Sequence, residues 1–401
     1  MADQQHIFVI NSGSSSVKYQ LLSLPQEQVL LDGSVEGIGG AQGRHHYRGA
    51  DGNQDNELRV SDHHQAFLEI IKVLGSVFAD AENGELTAIG HRVVHGGERF
   101  FGPTRIDEAV LAAIEQLAEL APLHNPANAE GIRVALALFP AIPQVAVFDT
   151  AFHQSMPPKA YRYAVPELWY RDFGIRRYGF HGTSHQYVAV KAAGFLQRPL
   201  AELNLITLHL GNGASVCAIA GGVCMDTSMG FTPLEGLVMG TRSGDLDPSI
   251  PLFLQQSQNL SATQIGHDLN HESGLQGLAG TNDMKTLLAR MQQGDPEAVL
   301  AVQVYTYRIK KYLGAYFAVL GKVDAVVFTG GIGENAAEIR QLCCENLDNL
   351  GISLDSAANR LPLAGVGRIS RKGSPVALLV IATDEALQIA HEALAVVTAV
   401  Q

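Results

Sequence analysis

The clearest hydrophobic pattern in the chain is a short apolar run that ends in a turn of small polar residues. Residues 7–10 are all apolar, Asn, Ser and Gly occupy 11–16, and an apolar pattern resumes at Val17. The pattern predicts two strands joined by a tight turn. Such a turn offers closely spaced backbone N–H groups and hydroxyl donors, and Lys18 adds a positive charge, so the segment is a candidate phosphate-binding loop. Taken alone, an ordinary turn rich in Ser and Gly is the more common explanation.

A second copy of this design changes the interpretation. Residues 205–219 again form an apolar run, a Gly-rich turn and a further apolar stretch, and Ser215-Val216 aligns with Ser16-Val17. A shorter echo relates Val-His-Gly-Gly at 94–97 to Phe-Thr-Gly-Gly at 328–331. Repetition of the unit predicts a duplicated fold, with a phosphate-bearing ligand between its two halves.

The rest of the pattern alternates strands with helices. Apolar residues at helical spacing predict one helix that ends at 139 and others over 61–77, 107–120, 296–320, 336–347 and 385–397. Continuous apolar runs predict buried strands over 87–94, 144–148, 324–328 and 376–382. This alternation predicts a mostly parallel α/β sheet.

Two polar segments interrupt the alternation and help to divide the chain. Residues 44–56, rich in Gly, His, Arg and Asp, are expected to form an exposed turn, and 151–178 an irregular connection. Residues 1–150 plus 386–401 are expected to form an N-terminal domain that carries the first phosphate loop and a closing helix. Residues 151–385 are expected to form a nucleotide-binding domain.

Length and composition set the class of protein. A chain of 401 residues with 46% hydrophobic residues implies roughly two to three globular domains. The net charge of −12 argues against nucleic acid or an acidic membrane as a partner. The four cysteines show no metal-type spacing and are expected to be reduced structural thiols. Because no basic segment precedes the first strand and no apolar run approaches the roughly 20 residues of a membrane span, we expect a cytoplasmic protein without a signal peptide.

Several candidate site residues lie at the carboxyl ends of predicted strands. In open α/β sheets, ligands bind outside the carboxyl ends of the strands, so these residues are expected to share one cleft. They are Asn11, Arg92, Asp149, Glu385 and the Gly-rich segments 209–213 and 330–335. Glycines there let the backbone approach phosphates or a nucleobase, although each turn singly is also explained by tight chain reversal.

Charged residues suggest how an anion would be bound. Arg92 and Arg242 are the candidates, because a guanidinium donates two parallel hydrogen bonds to a carboxylate or phosphate. The alternative for Arg242 is a surface ion pair with Asp245 or Asp247. His181 is a candidate hydrogen-bond donor to charge that develops on a transferring group.

Two carboxylates complete the candidate chemistry. Asp149 and Glu385 are predicted at strand ends and could ligate Mg²⁺ or its waters, or orient a nucleophile. For Glu385 the alternative is an acidic residue that is favoured at a helix N-terminus by the helix dipole.

These segments together resemble the motifs of the acetate kinase family. The resemblance runs nearly from end to end, in the same order, and is weakest between Ala41 and Asn83. The matching segments are 11–18, 90–97, 122–126, 147–153, 177–185, 209–213, 239–245 and 328–335.

The resemblance implies a fold and a reaction. The fold would be the superfold of actin, sugar kinases and heat-shock ATPases, with two duplicated ribonuclease H-like α/β domains around an interdomain cleft. The reaction would be reversible, Mg²⁺-dependent in-line phosphoryl transfer between ATP and acetate, giving ADP and acetyl phosphate, with Mn²⁺ as an alternative ion. The resemblance also implies a homodimer in the cytoplasm, with no nucleic-acid or membrane partner.

The resemblance also implies catalytic and metal-binding roles. Asn11 and Glu385 would form the magnesium site, and Asp149, His181 and Arg242 would be catalytic. Because acetate is already ionised at neutral pH, we expect Asp149 to organise metal and water rather than to remove a proton.

Substrate contacts are implied in the same way. Arg92 would bind the carboxylate, while Val94, Leu123, Phe180 and Pro233 would line the pocket for the methyl group. The implied nucleotide contacts are Lys18, His209, Leu210, Gly211, Asn212, Gly213, Asp283, Met284, Lys285, Gly331, Ile332, Gly333, Glu334 and Asn335.

One departure from the family pattern and two alternatives qualify this picture. The family usually has Asp, often an aromatic residue, then Arg where this chain has Asp283-Met284-Lys285, and lysine lacks the planar stacking surface of arginine. Relatives that act on propionate tend to have Ala where Val94 stands, so acetate is the expected substrate and propionate the alternative. A non-acyl ATPase of the same superfold is the further alternative, which Arg92 and Arg242 argue against.

Overall fold

The computed structural model of the chain describes residues 4–49, 52–77, 85–362 and 365–399. It divides into two compact units. Unit 1 contains the chain up to Phe152 together with the residues from Asp384 onwards, and unit 2 contains His153–Thr383. Each unit has one mixed β-sheet accompanied by helices, so the predicted two-domain α/β fold is confirmed. Among the helices of the described ranges, none has the length and apolar character to cross a membrane.

The sheet of unit 1 has eight strands in the order β5-β4-β3-β2-β1-β6-β8-β7. They are β1 (Gln5–Ser12), β2 (Ser16–Leu24), β3 (Gln28–Glu36), β4 (Gly43–Gly49), β5 (Gly52–Leu58), β6 (Leu86–Val93), β7 (Thr104–Arg105) and β8 (Gln144–Phe148). The pairs β1–β6 and β6–β8 are parallel, and the other pairs are antiparallel. The prediction of a mostly parallel sheet is therefore wrong here, because consecutive strands joined by short turns pair antiparallel.

Strands β4 and β5 lie where the sequence predicted an exposed turn over 44–56, so that prediction is wrong. The two strands form an antiparallel hairpin at the edge of the sheet, with Arg44 opposite Glu57. The side chains of β5 are almost all exposed, so the hairpin lacks the alternation of apolar and polar residues that identifies a strand. His45 is nevertheless buried, and its Nε2 lies 2.7 Å from the hydroxyl oxygen of Tyr19.

Helices from the first part of the chain accompany this sheet: α1 (His63–Val77), α2 (Glu108–Gln116) and α3 (Asn125–Leu138). Asp62 and Asp107 fix the starts of α1 and α2, since each carboxylate accepts a backbone N–H of the first turn at 2.8 Å. Phe67 of α1 and Val134 of α3 lie in one buried cluster with Phe8 of β1. These helices cover the predicted helical segments.

The sheet of unit 2 has six strands in the order β11-β10-β9-β12-β14-β13. They are β9 (Asn204–Leu210), β10 (Ala214–Ala220), β11 (Val223–Thr227), β12 (Ala325–Thr329), β13 (Val366–Arg368) and β14 (Ala377–Ile381). The pairs β9–β12 and β12–β14 are parallel, and the others are antiparallel.

The helices of unit 2 include two within the segment 151–178 that was expected to be irregular. In order they are α4 (Pro158–Tyr161), α5 (Glu167–Phe173), α6 (Gly182–Leu196), α7 (Ser249–Gln258), α8 (Ala262–His271), α9 (Gly274–Ala279), α10 (Met284–Gln292), α11 (Pro296–Leu320), α12 (Gly330–Asn335) and α13 (Ala337–Cys344). The longest, α11, has the predicted bounds, because Asp295 caps its first turn and Pro296 occupies the first helical position.

The two sheets share one pairing scheme. The strands β3-β2-β1-β6-β8-β7 of unit 1 and β11-β10-β9-β12-β14-β13 of unit 2 are joined by two antiparallel, two parallel and one antiparallel pairing. Strand β1 therefore corresponds to β9, and β6 to β12. The two turns singled out in the sequence join corresponding hairpins, and the echoes at 94–97 and 328–331 lie at the ends of corresponding strands. The predicted duplication is confirmed.

The last helix, α14 (Glu385–Thr398), belongs to unit 1 and packs on its sheet. Asp384 caps it by accepting the backbone N–H of Leu387 at 2.8 Å. The helix lies so close to β6 that a methyl group on Gly90 would be 2.7 Å from Cγ2 of the buried Ile389. Glycine in this strand permits the close approach of the helix.

We expect the substitution Gly90→Val to lower the free energy of unfolding of unit 1 by about 1–3 kcal/mol, because added methyl groups overpack the contact with α14. Urea unfolding followed by circular dichroism measures this. The matched control is Gly75→Ala in α1, where a methyl group meets no atom within 4 Å. It should raise stability by up to about 1 kcal/mol through helix propensity. Equal and unchanged stabilities of both variants would contradict the packing described.

Candidate active site

In unit 1, a cavity of about 350 Å³ lies between strands β1–β3 and the start of α14. Four residues singled out from the sequence line it: Asn11, Lys18, Arg92 and Glu385. Acidic side chains of β3 line it as well. The cavity therefore offers charges of both signs, as binding of an anionic ligand together with a cation requires.

Arg92 forms an ion pair with Asp149 at the ends of β6 and β8. Its Nη2 donates to Oδ2 of Asp149 at 2.7 Å, and its Nε lies 3.1 and 3.2 Å from the two carboxylate oxygens. Glu385 lies 3.9 Å from the same Nε. Although burial lowers the pKa of Arg92, the two carboxylates raise it above its usual value, so the guanidinium stays charged. Because the side chain of Asp149 is 2% exposed, the pair holds Arg92 in a fixed orientation.

The first turn is shorter than the sequence suggested. Asn11 is the penultimate residue of β1 and pairs directly with Lys18 of β2, so both project from strands rather than from a loop. The reversal is closed by Gly13, whose N–H donates to the carbonyl of Ser16 at 2.7 Å. The carbonyl of Gly13 accepts from Nε2 of His63 at 2.7 Å, a contact that the sequence did not indicate.

Two buried asparagines of α3 hold these strand ends, and sequence reasoning missed both. Asn128 donates to the carbonyl of Ser12 at 2.7 Å and accepts from the N–H of Val94 at 3.0 Å. Asn125 accepts from the N–H of His95 at 3.1 Å and donates to its carbonyl at 3.0 Å. The available signal was a pair of asparagines three residues apart at a helix start, which is also typical of ordinary capping.

The donor set of the cavity fits a magnesium ion. Asn11 and Glu385 offer amide and carboxylate oxygens, which are the ligands that Mg²⁺ prefers, and both line the same cavity. Two protein ligands leave other positions to water and phosphate oxygens, as is usual for Mg²⁺ in kinases. The assignment of the metal to these two residues stays a prediction.

In unit 2, the Gly-rich turn between β9 and β10 meets two other loops. The N–H of Gly240 donates to the carbonyl of Asn212 at 2.9 Å, and a Cβ at Gly240 would lie 1.8 Å from Oδ1 of Asn212. Gly330 has φ of 75°, and a Cβ there would lie 2.8 Å from the carbonyl oxygen of Leu210. Glycine is therefore required at 330, whereas a larger residue at 240 would displace the side chain of Asn212. The segments 209–213 and 330–335 lie next to each other.

His181 and Arg242 converge beside this turn. A methyl group placed on Gly213 would lie 3.4 Å from Nε2 of His181 and 3.6 Å from Nη1 of Arg242. His181 adopts a left-handed backbone conformation with φ of 58°, which is uncommon outside glycine. Its ring stacks on that of His209, with centroids 4.3 Å apart.

The alternative role for Arg242, an ion pair with a neighbouring aspartate, is not realised. Among the described residues, no carboxylate lies within ion-pair distance of its guanidinium, whose Nη1 donates to the carbonyl of Pro233 at 3.2 Å. Asp245 instead accepts from the hydroxyl of Tyr312 at 2.9 Å and pairs with Arg308. Partial burial lowers the pKa of Arg242, as expected for a cation that is shielded from part of the solvent and has no counter-ion among the described residues.

Some predicted nucleotide contacts are used by the protein itself. The carboxylate of Glu334 accepts the N–H of Gly330 at 2.9 Å and that of Thr383 at 3.1 Å. Asp283 caps α10, Met284 is buried and Lys285 is exposed. At 334 and 283–284 the side chains therefore stabilise local structure, and contact of these segments with a nucleotide stays a prediction.

The four residues predicted to contact a methyl group differ in exposure. Val94 and Leu123 belong to unit 1, and Leu123 is 60% exposed. Phe180 and Pro233 belong to unit 2, where Phe180 is buried and Pro233 is half-buried. Their grouping around one substrate stays a prediction.

Two of the four cysteines of unit 2 form a cluster with a histidine that their spacing did not indicate. Ligand atoms of His153, Cys217 and Cys224, all buried, lie within 4.8 Å of one another. Nε2 of His153 lies 2.9 Å from the carbonyl of Phe180, its Nδ1 3.2 Å from Sγ of Cys224, and that sulfur 3.4 Å from Cys217. Thiol hydrogen bonds to Nδ1 and between the sulfurs account for these distances, in agreement with reduced structural thiols.

We expect Asp149→Asn to lower the free energy of unfolding by about 2–3 kcal/mol, because hydrogen bonds between charged groups in a shielded pair are lost. Urea unfolding measures the change. The matched control is Glu69→Gln, which removes the exposed ion pair with Lys72 at 2.7 Å and should have a much smaller effect. Equal losses in the two variants would contradict a structural role for the Arg92–Asp149 pair.

Comparison with known proteins agrees with the motifs. Residues 6–391 match the model of the acetokinase family. The chain is 49% identical to an acetate kinase of Leifsonia xyli subsp. xyli, over 98% of this chain and 99% of that protein. Two solved structures, an acetate kinase of Porphyromonas gingivalis and a propionate kinase of Francisella tularensis, each superpose with a TM-score of 0.91 at 42% identity, covering 98% of this chain and 99% of theirs. The chain belongs to the acetokinase family.

Proposed function

We propose that this protein is an acetate kinase that transfers a phosphoryl group reversibly between ATP and acetate, giving ADP and acetyl phosphate. Family membership and the names of its relatives support the reaction class. The observation that carries the proposal is the half-buried guanidinium of Arg242, which has no acidic partner among the described residues and converges with His181 beside the turn at Gly213. A partly buried cation without a counter-ion is stabilised when the ligand itself supplies the negative charge.

Arg92 is the proposed anchor for the carboxylate of acetate. Its charge is fixed in place by Asp149, while its side chain remains 21% exposed and borders the cavity of unit 1. Guanidinium groups match carboxylates in shape and charge. Asp149 thus positions Arg92, and a further role in organising metal and water stays a prediction.

Transfer requires no proton removal, since acetate is ionised at neutral pH. A carboxylate oxygen of acetate attacks the γ-phosphorus, the bond from that phosphorus to the β,γ-bridging oxygen breaks, and its electron pair leaves with ADP. The charge that spreads over the transferring oxygens is stabilised by donors already in place, which we assign to Arg242 and His181.

ATP and Mg²⁺ are the proposed co-substrate and cofactor. Backbone groups of 209–213 and 330–335 are the proposed nucleotide contacts, together with Lys18, whose side chain lines the cavity with Asn11 and Glu385. A magnesium or manganese ion held by Asn11 and Glu385 would neutralise phosphate charge.

Assembly and location are proposed on the resemblance. We infer a homodimer in the cytoplasm, with no nucleic-acid or membrane partner. The net charge of −12 and the free cysteines found in the described structure support this inference.

Acetyl phosphate formation tests the reaction. With ATP, Mg²⁺ and acetate, hydroxylamine should trap the product as acetohydroxamate, and ADP should form in step with it. ATP turnover that does not depend on acetate and yields no hydroxamate would leave the non-acyl ATPase as the better assignment.

The substitution Arg242→Ala should lower kcat by at least about 100-fold, as removal of one oxyanion donor does. ATP binding, measured by calorimetry, should change little. Equal losses in catalysis and ATP binding would contradict its role.

Propionate kinase is the second candidate, since a propionate kinase structure is as similar to the chain as the acetate kinase structure. Val94, if it lines the methyl pocket, fills the space of one more methylene. We therefore expect kcat/KM for acetate to exceed that for propionate, and Val94→Ala to raise the propionate-to-acetate ratio by about 10-fold or more.

A core valine provides the control for this experiment. Val134→Ala in the core of unit 1 should change stability and leave the substrate ratio unaltered. A wild-type preference for propionate would overturn the assignment to acetate, and a ratio insensitive to Val94→Ala would remove Val94 from the pocket.

A further inference from the structure

A continuous chain of hydrogen bonds runs through the interior of unit 2 to His181. Oγ1 of Thr207 in β9 lies 2.7 Å from Nδ1 of His185 in α6. Nε2 of His185 lies 2.8 Å from Oγ of Ser215 in β10. That same oxygen lies 2.8 Å from Nδ1 of His181. The side chains of Thr207, His185 and Ser215 are fully buried, so water does not satisfy their polar atoms.

His185 is neutral in this setting. Burial lowers its pKa well below the usual value, and the neighbouring rings of His153 and His209 lower it further. A neutral imidazole donates from one nitrogen and accepts at the other. The direction of hydrogen bonding on one side of His185 therefore fixes the direction on the other.

The hydroxyl of Thr207 supplies that direction. Within the described parts of the chain, its partner is Nδ1 of His185, so the O–H can be satisfied by donating to this nitrogen. If Nδ1 of His185 donated instead, the proton of Thr207 would be buried without an acceptor. The cost of that unpaired proton lowers the population of this arrangement by about 10-fold or more. Thr207 thus donates, and His185 accepts at Nδ1.

The remaining bonds follow in order. His185 carries its proton on Nε2 and donates it to Oγ of Ser215. The hydroxyl of Ser215 then has Nδ1 of His181 as the acceptor for its own proton. A neutral His181 that accepts at Nδ1 must carry its proton on Nε2, the nitrogen that faces Gly213 and Arg242.

We propose that Thr207, His185 and Ser215 act as positioning residues that hold His181 in the tautomer with hydrogen on Nε2. The inference rests on the proposed function for its catalytic meaning, because a donor at Nε2 stabilises negative oxygens of a transferring phosphoryl group. The opposite tautomer would direct a lone pair at the same oxygens and repel them. Through these hydrogen bonds, the buried hydroxyl of Thr207 in β9 determines that Nε2 of His181 is a hydrogen-bond donor at the site.

The tautomer is measured directly in the wild-type protein. Long-range ¹H–¹⁵N correlation spectra of protein labelled with ¹⁵N in histidine distinguish a protonated from an unprotonated ring nitrogen, and His181→Gln identifies the His181 signals by their loss. At neutral pH we expect Nε2 of His181 to be protonated and Nδ1 unprotonated. Protonation of Nδ1, or of both nitrogens, would overturn the proposal, and this result does not depend on which acid the enzyme uses.

A double-mutant cycle tests whether Ser215 acts through His181. Ser215→Ala should lower kcat by about 10-fold and leave KM for ATP within about twofold, because the donor is misdirected while nucleotide contacts persist. In the background of His181→Gln the same change should have little further effect on kcat. Equal factors in both backgrounds would show a merely structural role and contradict the proposal.

Controls separate this inference from the assignment of function. Ser374→Ala removes a hydroxyl that donates to backbone carbonyls far from this chain of bonds and should leave kcat unchanged. Thr207→Ser keeps the donor hydroxyl and should keep both the tautomer and kcat, whereas loss of the Nε2–H signal in this variant would refute the role of Thr207. If hydroxamate does not form, the proposed function fails while the spectra still decide the tautomer.

Discussion

The half-buried, unpaired charge of Arg242 is the constraint on which the proposed chemistry of unit 2 depends. A guanidinium that lacks a carboxylate partner is destabilised by burial, yet the fold supplies Asp245 nearby and directs it to Tyr312 and Arg308 instead. The loop around Arg242 therefore leaves its positive charge without a counter-charge from the described residues of the protein. Glycines at 213 and 240 keep side chains out of the same space. An anionic ligand at this turn relieves a penalty that the folded chain otherwise retains.

Arg92 in unit 1 shows the opposite solution to the same problem. Its guanidinium is paired with Asp149 and approached by Glu385, so the protein compensates the charge before any ligand binds. The two arginines therefore suit different tasks. In the proposed reaction, a compensated, oriented cation would position a small carboxylate without binding it too tightly, whereas an uncompensated cation would respond to charge that increases during transfer.

Duplication explains why both units place polar groups at equivalent points, and divergence explains why the groups differ. In the first hairpin Ser12 pairs with Val17, and in the second Leu210 pairs with Ala214, so the corresponding turns have different lengths and registers. The first turn keeps hydroxyl side chains and has Asn11 and Lys18 opposite each other on its strands. The second has glycines and gives access to the backbone. A common frame has thus acquired one site based on side chains and another based on main-chain groups.

The elements that have a buried face could be predicted from the sequence. Elements whose apolar and polar residues do not alternate or recur at a helical spacing could not. Helix α11 and strand β8 have their predicted bounds, because capping and continuous burial are both visible in the residues. The hairpin β4–β5 was missed because almost all side chains of β5 face solvent, and the mixed pairing of the sheets was missed because antiparallel neighbours arise from short turns.

Site residues divide along a different line, between side chains that the fold itself uses and side chains that it leaves available. Motifs located His181, Arg242 and the glycines of the second turn, and the structure brings these together. The same motifs include Glu334, whose carboxylate binds the N–H groups of Gly330 and Thr383. Sequence resemblance does not distinguish a side chain that holds the fold from one that is available to a ligand, because both roles constrain the residue type. The hydrogen-bond partners in the structure distinguish them. In the proposed chain of hydrogen bonds, Ser215 and Thr207, to which the sequence assigned no role, determine what His181 can donate.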